Sequence, residues 1–221
     1  HKRTALHPAL VQLVTDNTSP RALKGVRAQA RLRYICGGEL SAESRGELQF
    51  TETGLSGPAA FDISRAVSLE PDGRVHIDFL GELTDEGFKE LIRRRCSELP
   101  ELGAEDVLTG VVHNRLGKML VKYSGIGGGR RLRELGERDF SALLKACRDF
   151  VIAAKGVEGF DSAQVTAGGI RTAGVDPETM ESRFVPHLFI CGELLDVDAD
   201  CGGFNLQWAW ASGAIAGRLG K

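Results

Sequence analysis

Asp196, Asp198 and Asp200 alternate along DVDADCGGFNLQ, three carboxylates at the spacing that begins a calcium loop. Such a loop takes oxygens from positions 1, 3 and 5, turns on a glycine at 6 and closes with a bidentate Glu at 12. Here position 6 is Cys201 and position 12 is Gln207, so the turn lacks its glycine and the clamp lacks its charge. Calcium is not expected. Nor is another metal, because the five histidines (1, 7, 76, 113 and 187) show no ligand spacing and no C-x-x-C pair occurs. The same residues also read as an acidic turn opening a helix. Glu193 and Asp196 would accept hydrogen bonds from ligand hydroxyls. Gly202 and Gly203 would let a ligand reach the backbone at the start of a helix over 205–218, where free N–H groups meet the positive end of the dipole. On residues alone an ordinary buried helix stays open beside this reading.

Other chemistry-bearing patterns fail earlier. In YSGIGGGRR the glycines follow a helical pattern, and the sixth position of a dinucleotide fingerprint is Arg130, so a flexible connection is expected. No G-x-S-x-G elbow is present, and Ser56 in LSGP reads as a helix cap, not a nucleophile. The basic runs at 93–95 and 130–133 carry no interleaved aromatics, and the 28 basic against 30 acidic residues leave a net charge of −2. No global field draws such a chain to nucleic acid or anionic lipid. Five cysteines without paired spacing fit reduced thiols. With no apolar run near ~18 residues and no signal peptide, a soluble cytoplasmic protein is expected. The chain opens on His1 without a Met, the start expected of a piece of something longer.

These residues must be held by a scaffold that changes period along the chain. Residues 9–80 read as β-rich: Val26, Ala28, Ala30, Leu32 and Tyr34 alternate with Arg27, Gln29, Arg31 and Arg33, and RVHIDF alternates again. Pro58 suits the first turn of a helix between these strands. Over 84–150 apolar residues step by three and four in three segments, predicting three amphipathic helices, the first capped by Thr84. FVIAAKGVEGF returns as a strand. Beyond about 160 the texture becomes glycine turns, short strands (AQVTAGGI, HLFICG) and the terminal helix. A boundary near 159 follows, with no internal repeat or low-complexity segment.

CGELLDVDADCGGFNLQWAWASGAIAG closely resembles the C-terminal signature of the HI0933-like (BaiN-like) flavoproteins, where A-G-E-x-x-D-V-x-G leads into G-G-Y-N-L-Q-W-A-W-x-S-G. RGELQFTETGLSGPA, RVHIDFLGELT and FDSAQVTAGGIRTAGVDPETMESRFVPHLF match in the same order. Departures are Cys191 for Ala, Phe204 for Tyr and Cys201 where Thr is common. The resemblance implies an α+β chain. Residues 1–159 would be a β-barrel-like insert (putative substrate) domain with a three-helix excursion, and 160–221 the C-terminal strand–helix segment of a discontinuous Rossmann-type FAD-binding domain.

The resemblance also implies FAD-dependent oxidoreductase chemistry, as dehydrogenase or oxidase, on an unidentified small molecule. NAD(P)H is an implied redox partner, and nucleic acid and membrane are not. The N-terminal half with its G-x-G-x-x-G loop would be supplied from outside this chain, which alone would not be competent. On the cofactor side the implied residues are Thr166, Gly168, Gly169, Gly192, Glu193, Asp196, Gly203, Asn205, Leu206 and Gln207. The turn Gly54, Leu55, Ser56, Gly57, Pro58 would cover the substrate side. No catalytic residue is assigned. The competing expectation is a non-catalytic insert module serving recognition or assembly.

Overall fold

The computed structural model describes residues 1–16 and 18–218. Its centre is a closed six-stranded antiparallel barrel. The strands are β2 (Leu13–Thr15), β3 (Arg27–Cys36), β4 (Glu39–Phe50), β5 (Gly54–Ser56), β6 (Arg74–Asp78) and β7 (Phe150–Val157), in the order β2-β5-β4-β3-β6-β7. The long hairpin β3–β4 turns on Gly37 and Gly38, both at positive φ, the pair of conformations a tight hairpin matched to strand twist requires. Alternation fixes the facing: Leu32 and Tyr34 are buried, while Arg27 and Arg31 point outward. Gly54 is obligatory, because a Cβ there would collide with the Leu13 carbonyl across the β2–β5 pair.

Helix α1 (Thr18–Ala22) is short, and α2 (Pro58–Leu69) lies against β3, β4 and β7 with Ala59, Ala60, Ile63 and Val67 buried. Pro58 takes the first turn as expected. Ser56 does not cap: it ends β5, Gly57 holds the cap position, and no side chain bonds the helix start.

The helical excursion holds α3 (Asp85–Glu98), α4 (Asn114–Tyr123) and α5 (Glu137–Arg148). Thr84 caps α3, its Oγ1 accepting the Gly87 N–H at 3.1 Å. The middle helix is shorter than its periodicity predicts. Leu108 to Val112 form a turn through Gly110 at φ 80°, and the helix begins only at Asn114. His113 is its N-cap, accepting the Arg115 N–H through Nδ1. Tyr123 stands edge-on to Phe150 at 4.8 Å, with Phe79 and Phe50 following, which joins helices and barrel into one core.

The first and last segments meet beside the barrel. β1 (His7–Ala9) pairs antiparallel with β8 (Val165–Ala167), and the Thr4 N–H reaches the Gly169 carbonyl at 2.9 Å. HLFICG is not a strand; it meets the 180–182 segment at the isolated Glu181–Phe189 bridge and then enters a 3-10 turn, Gly192–Leu194. Helix α6 (Phe204–Ala216) follows. Here the core is small, with Val175, Met180, Ile190, Leu195 and Ala216 buried. Among the described residues no helix is long and apolar enough to cross a membrane.

Candidate functional site

The start of α6 is left uncapped. Gly203 occupies the cap position in the left-handed region (φ 90°), has no side chain to bond the first turn and faces open space. The first N–H groups of a helix have no partner within it, so α6 presents bare donors and the positive end of its dipole. A cavity of about 300 Å3 opens there. Its apolar walls come from Leu10, Val165, Val197, Leu206 and Trp208, and its polar groups include Gln164, Thr166, Glu193 and Asn205.

Each wall is braced locally. Trp208 Nε1 donates to the Gly192 carbonyl at 3.1 Å, and the Gly192 N–H donates to Ser212 Oγ at 2.9 Å. One face of α6 thereby grips the 3-10 turn carrying Glu193, whose carboxylate accepts the Thr166 N–H. Asn205 turns back on the acidic loop: its Oδ1 accepts the Ala199 N–H at 3.0 Å and its Nδ2 donates to the Ala199 carbonyl at 2.8 Å. The side-chain amide is consumed within the protein, and only the backbone of this residue faces a ligand.

Helix α2 secures the loop from the other side. Asp62 accepts the Cys201 N–H at 2.8 Å, and Arg65, one turn on, pairs with Asp198 at 3.0 Å. Burial holds the Asp62 carboxyl above its ordinary range; the Cys201 N–H opposes this and the nearby Asp200 adds to it. Of the three aspartates of the loop, Asp198 is committed to Arg65. Among the described residues no three metal-binding side chains gather in one place.

Of the residues expected on the cofactor side, the cavity brings together Thr166, Glu193, Gly203, Asn205 and Leu206. The others shape its frame. A Cβ on Gly168 would collide with the Ala5 carbonyl, and one on Gly169 would stand 2.7 Å from the Leu194 carbonyl. Gly192 is pinned by α6, the Asp196 N–H bonds the Ile170 carbonyl, and Gln207 N–H is already an in-helix donor to Gly203. In the 54–58 turn, Gly54 and Leu55 are buried in the barrel, and Ser56 lines a separate cavity with Gln12, Phe61, Glu158 and Ser162. Pro58 is exposed, and a Cβ on Gly57 would press on the Glu47 carbonyl at 2.7 Å. The residues missed by sequence reasoning are Asp62, Arg65, Leu10, Gln164 and Trp208. Trp208 and Ser212, four apart on one helix face, carried a readable signal; Asp62, 139 positions from Cys201, carried none.

The thiols do not supply a nucleophile from the core: burial pushes Cys147 up to about 12 and raises Cys96 as well.

The chain is an α+β protein built on a closed six-stranded barrel. The family model described as the HI0933-like protein Rossmann domain matches residues 34–219, and the chain belongs to that family. It is 36% identical over 222 residues to a 3-dehydro-bile acid delta(4,6)-reductase of Clostridium scindens, covering 99% of this chain and 54% of that one. It is 35% identical over 168 residues to a ribosomal RNA dihydrouridine synthase of Escherichia coli (76% of this chain, 40% of that one). The Haemophilus influenzae protein of the same name is 29% identical over 191 residues (86% and 45%). The chain thus spans about half the length of the relatives it matches.

Proposed function

We propose that this chain is the part of a FAD-dependent reductase that holds the flavin ring, with the pyrophosphate-binding part supplied by a further N-terminal half. The observation carrying this reading is the uncapped start of α6 opening on an apolar-walled cavity. These residues fit a flavin edge. Bare N–H donors suit a carbonyl that gains negative charge on reduction, the walls suit a flat ring, and the Glu193 carboxylate suits hydroxyls. A cavity of about 300 Å3 is at the low end for a ligand site and cradles only part of a dinucleotide, as half of a shared site would. When bound, FAD supplies hydride for two-electron reduction, and NAD(P)H is the proposed source of those electrons.

The relatives' names favour reduction over oxidation. A delta(4,6)-reductase and a dihydrouridine synthase both add two hydrogens across a carbon–carbon double bond in conjugation with a carbonyl. We place the same reaction type here. In this reading 160–221 belongs to the FAD-binding domain. The insert begins near residue 10, since β1 pairs with β8 and runs with the last segment.

The helix start would stabilise reduced flavin by about 1 kcal/mol, or roughly 20 mV for a two-electron couple. The visible absorption spectrum of the full-length protein and of this chain is the direct test. Stoichiometric flavin in the former, and little in the latter, is expected. In full-length Glu193→Ala flavin affinity should fall, and in Asn205→Ala affinity and potential should both fall as the loop is freed from Ala199. Unchanged values in both variants would sink the reading. A full-length protein without flavin would favour a recognition or assembly module built on the barrel.

A further inference from the structure

Between β1, which runs with the last segment, and β2 of the barrel, the backbone enters the left-handed region at Leu10, with a φ of 47°. An L side chain crowds its own backbone there, and glycine is the residue that adopts this conformation freely. Elsewhere among the described residues the chain uses fourteen glycines at positive φ and only three other residue types, at Asp72, Met180 and His187. Aspartate and histidine are commoner in this region than other side chains, and Met180 is buried in the small core of the last segment. Leu10 is the exception. It is only 7% exposed yet belongs to neither apolar cluster. Instead it lines the cavity at the α6 start and a second of about 260 Å3 against α2.

The turn is fixed from both sides. The Leu10 carbonyl accepts the Gln164 N–H at 3.3 Å, and the next N–H, of Val11, donates to Ser64 Oγ on α2 at 3.3 Å. Backbone strain persists where its surroundings over-determine it. A glycine would make the same two bonds without strain, so the turn itself does not call for leucine. What leucine adds is an apolar side chain at the cavity. We propose that Leu10 is a positioning residue of the α6-start site, its side chain the apolar contact against which the flavin ring packs. This rests on the flavin reading above and assigns within it a residue that the strained backbone singles out. The contact takes apolar ring surface from water, and its worth is set by the side chain, not by the turn.

The full-length protein is first read for its visible flavin band; a colourless protein overturns the flavin reading and this proposal with it. From a yellow protein the flavin is stripped, and FAD is titrated back into the parent, Leu10→Met, Leu10→Ala and Leu10→Gly. Urea unfolding of each apoprotein runs alongside. Leu10→Met keeps the apolar volume, and its Kd for FAD should stay within about threefold of the parent. Leu10→Ala and Leu10→Gly should both bind FAD about tenfold more weakly, and the bound flavin band should lose vibronic structure as water reaches the ring. These two should nevertheless part in stability. Leu10→Gly, freed of strain, should unfold at higher urea than Leu10→Ala, the reverse of their usual order. A Kd unchanged in both, in a protein that is still yellow, overturns the proposal alone. So does a Kd that follows stability across the series, as a purely structural turn would give, or a Leu10→Met form as weak as Leu10→Ala.

Discussion

The barrel with its helices and the segment that carries α6 bury their apolar residues very differently. The barrel closes on itself, leaves no free sheet edge and fills its interior from β3, β4, β6, β7 and α2. The last segment gathers an apolar cluster of five buried residues and exposes Phe204 (60%), Leu206 (63%) and Trp210 (71%) on a helix that is apolar nearly all round. A helix with that character belongs in an interior. Here only the face bearing Ser212 and Ala216 has one. One region is complete in itself; the other is shaped for a surface that covers it.

The largest expected effect tests whether the two regions are energetically separate. Phe50→Ala, deep in the barrel, should cost about 3–5 kcal/mol in guanidinium unfolding of this chain. Met180→Ala in the small core should leave that main transition within about 1 kcal/mol, because a weakly packed segment opens on its own below the global transition. Equal shifts from both substitutions would mean one cooperative unit and would erase the contrast.

Asp62 sharpens the comparison because it ties the acidic loop of the last segment to α2 on the barrel. Asp62→Ala removes the acceptor of the Cys201 N–H and should cost about 1 kcal/mol, discounted for partial exposure. It should also raise hydrogen exchange in the 198–203 loop. Asp62→Asn keeps an oxygen in place and should be milder. The pH dependence has a definite sign. Burial raises the folded pKa of Asp62 above its ordinary 3.8, so the folded state binds this proton more tightly than the unfolded chain does. Its contribution favours the fold in acid and is lost as pH rises through the folded pKa. Asp62→Asn should abolish that loss, leaving a flatter stability profile above the ordinary carboxylate range. A variant profile unchanged above the ordinary carboxylate range but missing a rise below it would mean that Asp62 is held below its ordinary range.

How far all this was legible depends on whether a feature is local. Strand alternation in VRAQARLRY, the Gly37–Gly38 turn and the Thr84 cap are set by neighbours in sequence, and each stands where residue pattern puts it. The α4 start was misread because Leu108 is buried and Val111 and Val112 half-buried from a turn, where burial mimics helical period without helical backbone. Ser56 was misread because strand pairing with Gln49 holds it in β5, one residue before the glycine that opens α2. In the candidate site the glycine start of α6 was visible as G-G before an apolar run. The hold of Asp62 and Arg65 on the acidic loop was not, since it depends on how the barrel helix packs against a segment far along the chain.

The smallest expected effect in this chain is also the sharpest test of the contrast. Trp210 lies on the uncovered side of α6 and makes no core contact there, so Trp210→Ser should change the stability of the 221-residue chain by no more than about 0.5 kcal/mol. Removing an exposed indole should also reduce self-association at high concentration. In the full-length protein the same substitution should cost several times more, because there the indole would be removed from a covered interface. Thermal unfolding of both forms, with and without the substitution, gives the two differences directly. If the cost is equally small in both, α6 is exposed in the whole protein too, and the apolar face serves a partner other than the rest of the polypeptide.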